Sequence, residues 1–181
     1  NFLLISSTNL FIFLTFYSLM VTLTLYTITA FDTSQSMAGL ASSIFIIGAV
    51  LVRPIAGKRI VLIGAKKMLT ISLALFLVAT LFYFTVNSLT LLLIIRFIHG
   101  ISFGFATTAT GTLVAEILPS SRKGEGMGYF SMSTNLAMAI GPFLGLMISN
   151  TFSYTFVFSV AVVFATFSFI ATLFLNVPKS N

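Results

Sequence analysis

Cysteine and tryptophan are absent from this 181-residue chain, histidine occurs once, at His99, and there are only three acids, Asp32, Glu116 and Glu125. Without thiols there is no disulfide framework, no thiolate metal site and no thiol nucleophile. Three scattered carboxylates and a single imidazole give neither a paired-acid hydrolase nor a base-activated nucleophile nor a ligand cluster for a metal. The sequence therefore assigns no catalytic residue, no metal and no cofactor, and predicts that the chain is not an enzyme. The lack of cysteine leaves the redox compartment open.

Charge is equally scarce. Charged residues make up 7% of the chain and hydrophobic ones 58%, with a mean hydropathy of +1.13, whereas an ordinary globular domain carries roughly a quarter charged residues. A water-soluble domain cannot carry this composition. Six apolar stretches, 8–31, 37–56, 68–86, 89–117, 127–149 and 152–175, are each long enough to cross a hydrocarbon core about 30 Å thick. Only short connections remain, with no room for a soluble domain. The first stretch is uncharged, too long for the apolar part of a signal peptide, and lacks a small-residue cleavage site. Breaks are expected at Asp32 to Ser36, Gly57 to Lys67, Asn87 to Ser88, Pro119 to Gly126 and Asn150 to Thr151, and Pro178 with its polar neighbours closes the sixth span. The expected fold is all-α and transmembrane, a bundle of six helices.

The few charges sort by side. Arg53, Lys58, Arg59, Lys66 and Lys67 lie beside or between spans two and three, Arg122 and Lys123 between four and five, and Lys179 after six, while the alternate connections hold no lysine or arginine. By the positive-inside rule both chain ends are expected to be cytoplasmic. The net charge of +6 thus reports orientation in a bilayer, and no nucleic-acid partner is expected.

The remaining basic residue, Arg96, falls within span four. Counting from Leu89 places it roughly 10 Å inside the hydrocarbon. An arginine at the centre of a span costs about 2.5–3.5 kcal/mol on insertion scales. It needs a polar cavity, or it snorkels to the headgroups. His99, Gly100, Gly104, Thr107 and Gly111 share its face. His99 is either a proton carrier or a neutral hydrogen-bonding group. On span one, Thr15, Ser18, Thr22 and Thr29 recur on one face with Tyr26 at its edge; on span five, Gly128, Ser131, Asn135 and Ala139 share a face beside a small-residue stripe of Thr134, Gly141 and Gly145. Three polar stripes point to a shared aqueous cavity, although small and hydroxylated residues also permit close helix packing. Spans three and six, apolar almost all round, are expected to face lipid. Asp32 and Glu125 fall at span ends, and Glu125 suits the dipole of the fifth helix.

Arg53-Pro54-Ile55-Ala56-Gly57 ends span two, and Gly141-Pro142-Phe143-Leu144-Gly145 sits late in span five; each contains Pro-x-x-Gly, about half the chain apart. The two spans run in opposite directions, so this weak repeat fits two inverted three-helix repeats.

These residues together resemble a known family. Arg53 to Gly57, followed by Gly64-Ala65-Lys66-Lys67, is similar to the loop between helices two and three of the major facilitator superfamily. Leu93-Ile94-Ile95-Arg96-Phe97-Ile98-His99-Gly100, continuing to Gly104, resembles its helix-four motif, in which an intramembrane arginine is associated with proton coupling. Ala139-Ile140-Gly141-Pro142-Phe143-Leu144-Gly145 resembles the helix-five motif of its antiporters. Two positions depart: Val61 and Leu62 stand where an acid and a base usually follow Gly57, leaving a charge latch in doubt, and His99 stands where glutamine is common.

The resemblance implies the amino-terminal six-helix half of a transporter of the drug/proton antiporter branch, with the carboxy-terminal half absent; Asn1 in place of methionine fits a truncated start. It implies a secondary active transporter in a bacterial cytoplasmic membrane, working by proton-coupled efflux of small amphipathic compounds through alternating access. Arg96 and His99 are then the proton-coupling candidates. Thr15, Ser18, Thr22, Tyr26, Phe103, Thr107 and Asn135 are the substrate-cavity candidates. Gly57, Gly64, Lys66 and Lys67 form the loop motif, and Gly141, Pro142 and Gly145 the antiporter-like motif. The expected partners are the bilayer, a small-molecule substrate, protons and the other half. A sugar or metabolite importer of the same fold, and a six-span assembly protein associating through Gly100, Gly104 and Gly141, remain as alternatives.

Overall fold

In hydrocarbon no water is available to backbone N–H and C=O groups, so a spanning segment has to satisfy them within itself. The computed structural model, which describes residues 1–176, meets that demand with six helices: α1 (Phe2–Phe31), α2 (Gln35–Ile63), α3 (Ala65–Leu81), α4 (Leu89–Ile117), α5 (Lys123–Thr151) and α6 (Tyr154–Leu173). All six are long and apolar enough to cross a membrane. Short 3₁₀ turns at Phe82–Thr85 and Ser120–Arg122 precede α4 and α5, and no strand occurs among the described residues. Pro178 and Lys179 lie outside the described residues.

Helix ends follow local chemistry. The helices that start on the side without lysine or arginine, α2, α4 and α6, each open on a serine: Met37 N–H donates to Ser34 Oγ, Leu91 N–H to Ser88 Oγ and Phe156 N–H to Ser153 Oγ, all at 3.2 Å. Each serine satisfies one of the orphan donors of a first turn. Asp32 closes α1 in the left-handed conformation (φ 46°, ψ 50°), a conformation that aspartate tolerates better than most residues.

The expected break at Gly57 to Lys67 is much shorter in the structure. α2 runs on through Gly57 to Ile63, and Gly64 alone, at φ 88°, joins it to α3. Gly64 N–H donates to Ile60 O, and its own carbonyl accepts from Met68 N–H. One residue therefore ends one helix and begins the next, which a residue with a Cβ at this φ would strain against.

Packing reveals the repeat. α1 lies against α5 and α6, α4 against α2 and α3, and α3 touches α6. Exchanging α1 with α4, α2 with α5 and α3 with α6 carries this set of neighbours onto itself, as two inverted three-helix repeats require. α2 and α4 run parallel: Phe45 lies at Gly100 and Ala49 at Gly104. A Cβ on Gly100 would sit 2.8 Å from Phe45 Cα, one on Gly104 2.6 Å from Ala49 O, and one on Gly48 2.7 Å from Phe97 O. α1 and α5 pair in the same way, with a Cβ on Gly141 falling 2.6 Å from Tyr17 Cβ. Without a hydrophobic force between helices in lipid, such close contact is the main source of cohesion. The symmetry is imperfect, because α1 packs along α2 more extensively than α4 along α5.

The expectation that spans three and six face lipid holds for only part of their surface. α6 turns Phe156, Val163, Phe167, Ile170 and Leu173 outward but buries Ala161, Ala165, Ser168 and Thr172 on its inner face. α5 instead has the smallest buried share of any span.

Gly100→Ala is expected to lower stability in detergent by about 1–3 kcal/mol, the usual cost of overpacking. Gly111→Ala, where a Cβ meets nothing within 4 Å, is expected to leave it unchanged or slightly higher. Thermal unfolding of the two variants side by side checks both.

Candidate functional site

Arg96 is completely buried, as is His99. An aqueous cavity around them was the expectation; the structure encloses them between α2, α3 and α4 instead. The guanidinium reaches across the seam to α2, where Nε donates to Ala41 O at 2.9 Å and Nη2 to Ser42 O at 3.0 Å. Those carbonyls have a second lone pair beyond the one a helix uses. Nη1 donates to Tyr83 Oη at 3.1 Å, and the carbon of the guanidinium lies 4.5 Å from the centre of the Phe45 ring. No carboxylate takes part, and among the described residues the one ion pair joins Arg122 to Glu125. Arg96 is therefore a fixed cation, compensated by dipoles and an aromatic face rather than by an opposite charge.

The network continues in one direction. Arginine has only donors, so Tyr83 Oη accepts from it. Tyr83 lies 2.9 Å from His99 Nδ1, and His99 Nε2 lies 3.2 Å from Thr80 Oγ1. The hydroxyl of Thr80 donates to Phe76 O at 2.7 Å, so Thr80 Oγ1 accepts a hydrogen bond from Nε2–H, and the Tyr83 hydroxyl donates to Nδ1. The polar hydrogens of Tyr83, His99 and Thr80 are all used when His99 carries its proton on Nε2, an assignment made from the network. Of the two expected roles for His99, these contacts describe the hydrogen-bonding one. Tyr83, at the 3₁₀ turn after α3, had no signal in the sequence beyond a single hydroxyl in an apolar run.

The substrate-cavity candidates separate. Thr15, Ser18 and Thr22 are buried, and their hydroxyls donate back to Phe11 O, Thr15 O and Ser18 O of their own helix. A Cβ on Gly145 would meet Ser18 O and Thr22 Cγ2. Part of this stripe thus packs under α5, and none of it lines an open cavity. Phe103 is also buried, its ring 5.0–5.2 Å from those of Phe13, Phe16 and Phe45. Tyr26 is half-buried and meets Tyr154 and Phe158 edge-on. Asn135 is exposed on the open face of α5, and Thr107 is half-buried where Arg53 Nη1 donates to it at 3.1 Å.

The loop and helix-five motifs also find definite places. Gly57 is an open helical position, Gly64 makes the turn, Lys66 Nζ donates to Leu175 O just past α6, and Lys67 is exposed. Gly141 and Gly145 are buried against α1, and Pro142 lies inside a continuous α5. Glu125 pairs through both oxygens with Arg122 at 3.1 Å in the first turn of α5.

The sequence reading missed one polar centre. Asn9 of α1 donates to Ser133 Oγ and Thr134 Oγ1 of α5, each at 2.9 Å, and accepts from Thr110 Oγ1 of α4 at 3.2 Å. A lone amide in a long apolar span was the available signal, since such a group needs partners in hydrocarbon. It joins α4 to α5 through α1.

Tyr83→Phe is expected to destabilise the bundle by about 1–3 kcal/mol, because the Arg96 Nη1 donor and the His99 Nδ1 acceptor both lose their buried partner. Unfolding in detergent checks the magnitude. Nitrogen chemical shifts of His99 in the unsubstituted protein check that the ring proton is on Nε2.

Comparison with known proteins agrees with this architecture. The family model described as Major Facilitator Superfamily matches residues 5–181. The chain is 27% identical over 174 residues to Multidrug resistance protein 1 of Bacillus subtilis, covering 96% of this chain and 45% of that protein. It is 29% identical over 107 residues to Quinolone resistance protein NorA of Staphylococcus aureus, 59% of this chain and 28% of that one. Over 75 residues it is 37% identical to an uncharacterised MFS-type transporter of Methanocaldococcus jannaschii, 41% of this chain and 19% of that one. The inward-open xylose transporter XylE from E. coli superposes with a TM-score of 0.79 at 17% identity, over 98% of this chain and 47% of XylE. The chain thus spans less than half the length of each of these relatives. Six apolar helices in inverted repeats, together with the family match over nearly all of the sequence, establish it as an integral multi-pass membrane protein belonging to the Major Facilitator Superfamily.

Proposed function

We propose that this chain forms the amino-terminal half of a proton-coupled exporter of small amphipathic compounds that works by alternating access. The observation that carries the proposal is Arg96, a buried intramembrane cation with no carboxylate partner among the described residues. At an effective dielectric constant of about 20, a carboxylate about 10 Å away is attracted by about 1.7 kcal/mol. A proton and a substrate competing for such a carboxylate, supplied by the other half, would then exchange over a modest energy difference. Arg96 acts in this scheme through its field and through the seam it clamps, since each of its three nitrogens already holds a partner. Gly141 and Gly145 let α5 lie directly on α1, and Pro142 removes a backbone donor within that contact. This supports an α5 that shifts against α1 as access alternates. The names of the Bacillus and Staphylococcus relatives favour drug-like amphiphiles as substrates.

Transport by the full-length protein in proteoliposomes under a pH gradient tests the proposal. Arg96→Ala and Arg96→Lys are both expected to reduce proton-driven efflux at least tenfold while membrane insertion is retained. Lysine keeps the charge but lacks the planar fork that reaches two carbonyls and a phenol at once. Undiminished efflux from either variant removes Arg96 from the mechanism, and gradient-driven uptake in place of efflux replaces the exporter with an importer.

A further inference from the structure

Arg53 is the second arginine on the α2–α4 seam and differs from Arg96 in being exposed. Its position, 18 residues beyond the first residue of α2, is roughly 27 Å along the helix axis, near the far edge of a hydrocarbon core about 30 Å thick. Nη1 donates to Thr107 Oγ1 at 3.1 Å and approaches Thr108 Oγ1 at 3.5 Å. Both threonines send their own hydroxyl protons back to α4, to Phe103 O and Gly104 O at 2.8 Å. They therefore act as acceptors that hold the guanidinium by one nitrogen. The Nε–Nη2 edge has no partner among the described residues, and that edge matches the two oxygens of a carboxylate. Thr107 and Thr108 also line an open groove of about 790 Å³ that continues past Gly111 and Thr112 to Glu116 and Lys123. Of the two arginines on this seam, Arg96 is completely buried and Arg53 is the accessible one.

We propose that Arg53, shelved on Thr107 and Thr108, is the anion-recognition point for the transported compound, and that this transporter favours amphiphiles bearing a carboxylate. The proposal rests on the transport reading above and gives it a substrate class. The carboxylate binds the free guanidinium edge, and the apolar body lies along the groove.

Two probes that differ in one group provide the test: N-dansyl-phenylalanine and its amide, moved by the full-length protein in proteoliposomes of phosphatidylcholine, with and without phosphatidylglycerol. The unsubstituted protein is expected to have a lower KM for the acid than for the amide. Arg53→Gln is expected to reduce that acid-to-amide preference about tenfold, and Arg53→Lys to restore part of it. A preference that is unchanged in Arg53→Gln, or an unsubstituted protein that prefers the amide, overturns the proposal while leaving transport intact. An effect of Arg53→Gln that appears only with phosphatidylglycerol assigns the site to a lipid phosphate and also overturns it. An unsubstituted protein that moves neither probe overturns this proposal, and the transport reading is then decided separately by the proton-driven efflux assay above.

Discussion

A guanidinium cannot stay in hydrocarbon without acceptors, and Arg96 obtains them only because α2 lies almost against the backbone of α4. The carbonyls of Ala41 and Ser42 come within 3.0 Å of its nitrogens, which in turn requires that Gly100, Gly104 and Gly48 carry no side chain at the crossing. The polar network and the small-residue seam are therefore one device. The glycines permit the approach, and the approach makes the charge tolerable. The charge then opposes separation, because parting the helices would leave a bare cation in a medium of low dielectric constant. Tyr83 extends the clamp to α3 and connects it to His99 and Thr80.

The symmetry-related seam, α1 on α5, has the same construction without the charge. Gly141 and Gly145 allow contact with Tyr17, Ser18 and Thr22, while the polar element is the amide of Asn9, shared with Ser133, Thr134 and Thr110. An amide bonded to hydroxyls costs far less to expose than a guanidinium. Interhelical hydrogen bonds of this kind in membranes are worth about 0.6 kcal/mol on average. Of the two seams, the one held by Asn9 is thus the easier to shift and the one held by Arg96 the more rigid. The presence of Pro142 in α5 agrees with that ordering.

Composition alone made the six spans and their approximate limits legible, since bilayer thickness dictates the length of an apolar run. The boundary error at Gly57 has a physical source. Glycine and a run of bases read as a loop in water, but beyond the hydrocarbon a helix continues at little cost and only Gly64 has the positive φ that ends it. Arg96 was legible because a charge inside a span is conspicuous, whereas its partners were not. Two of them are backbone carbonyls, and the third is a tyrosine among phenylalanines. The stripe of Thr15, Ser18 and Thr22 shows the converse limit. Hydroxyls at helical spacing mark a face but do not say whether water or another helix covers it, and here each donates to its own helix. Asn9 was readable in principle by the same rule that singled out Arg96, namely that a polar group in hydrocarbon needs a named partner.

Arg53 and Arg96 staple the same seam from opposite helices at opposite depths, and the difference in what they grip separates structure from recognition. Arg96 reaches carbonyls, which are fixed by the helix and unavailable to anything else, so its free energy goes into holding α2 on α4. Arg53 reaches hydroxyls through one nitrogen only, at the margin of an open groove. A cation bound that lightly, in a partly desolvated setting, retains most of its capacity for an oxyanion. The seam is also held by Arg96 and by three close-packed glycines, and the Nε–Nη2 edge of Arg53 has no partner among the described residues.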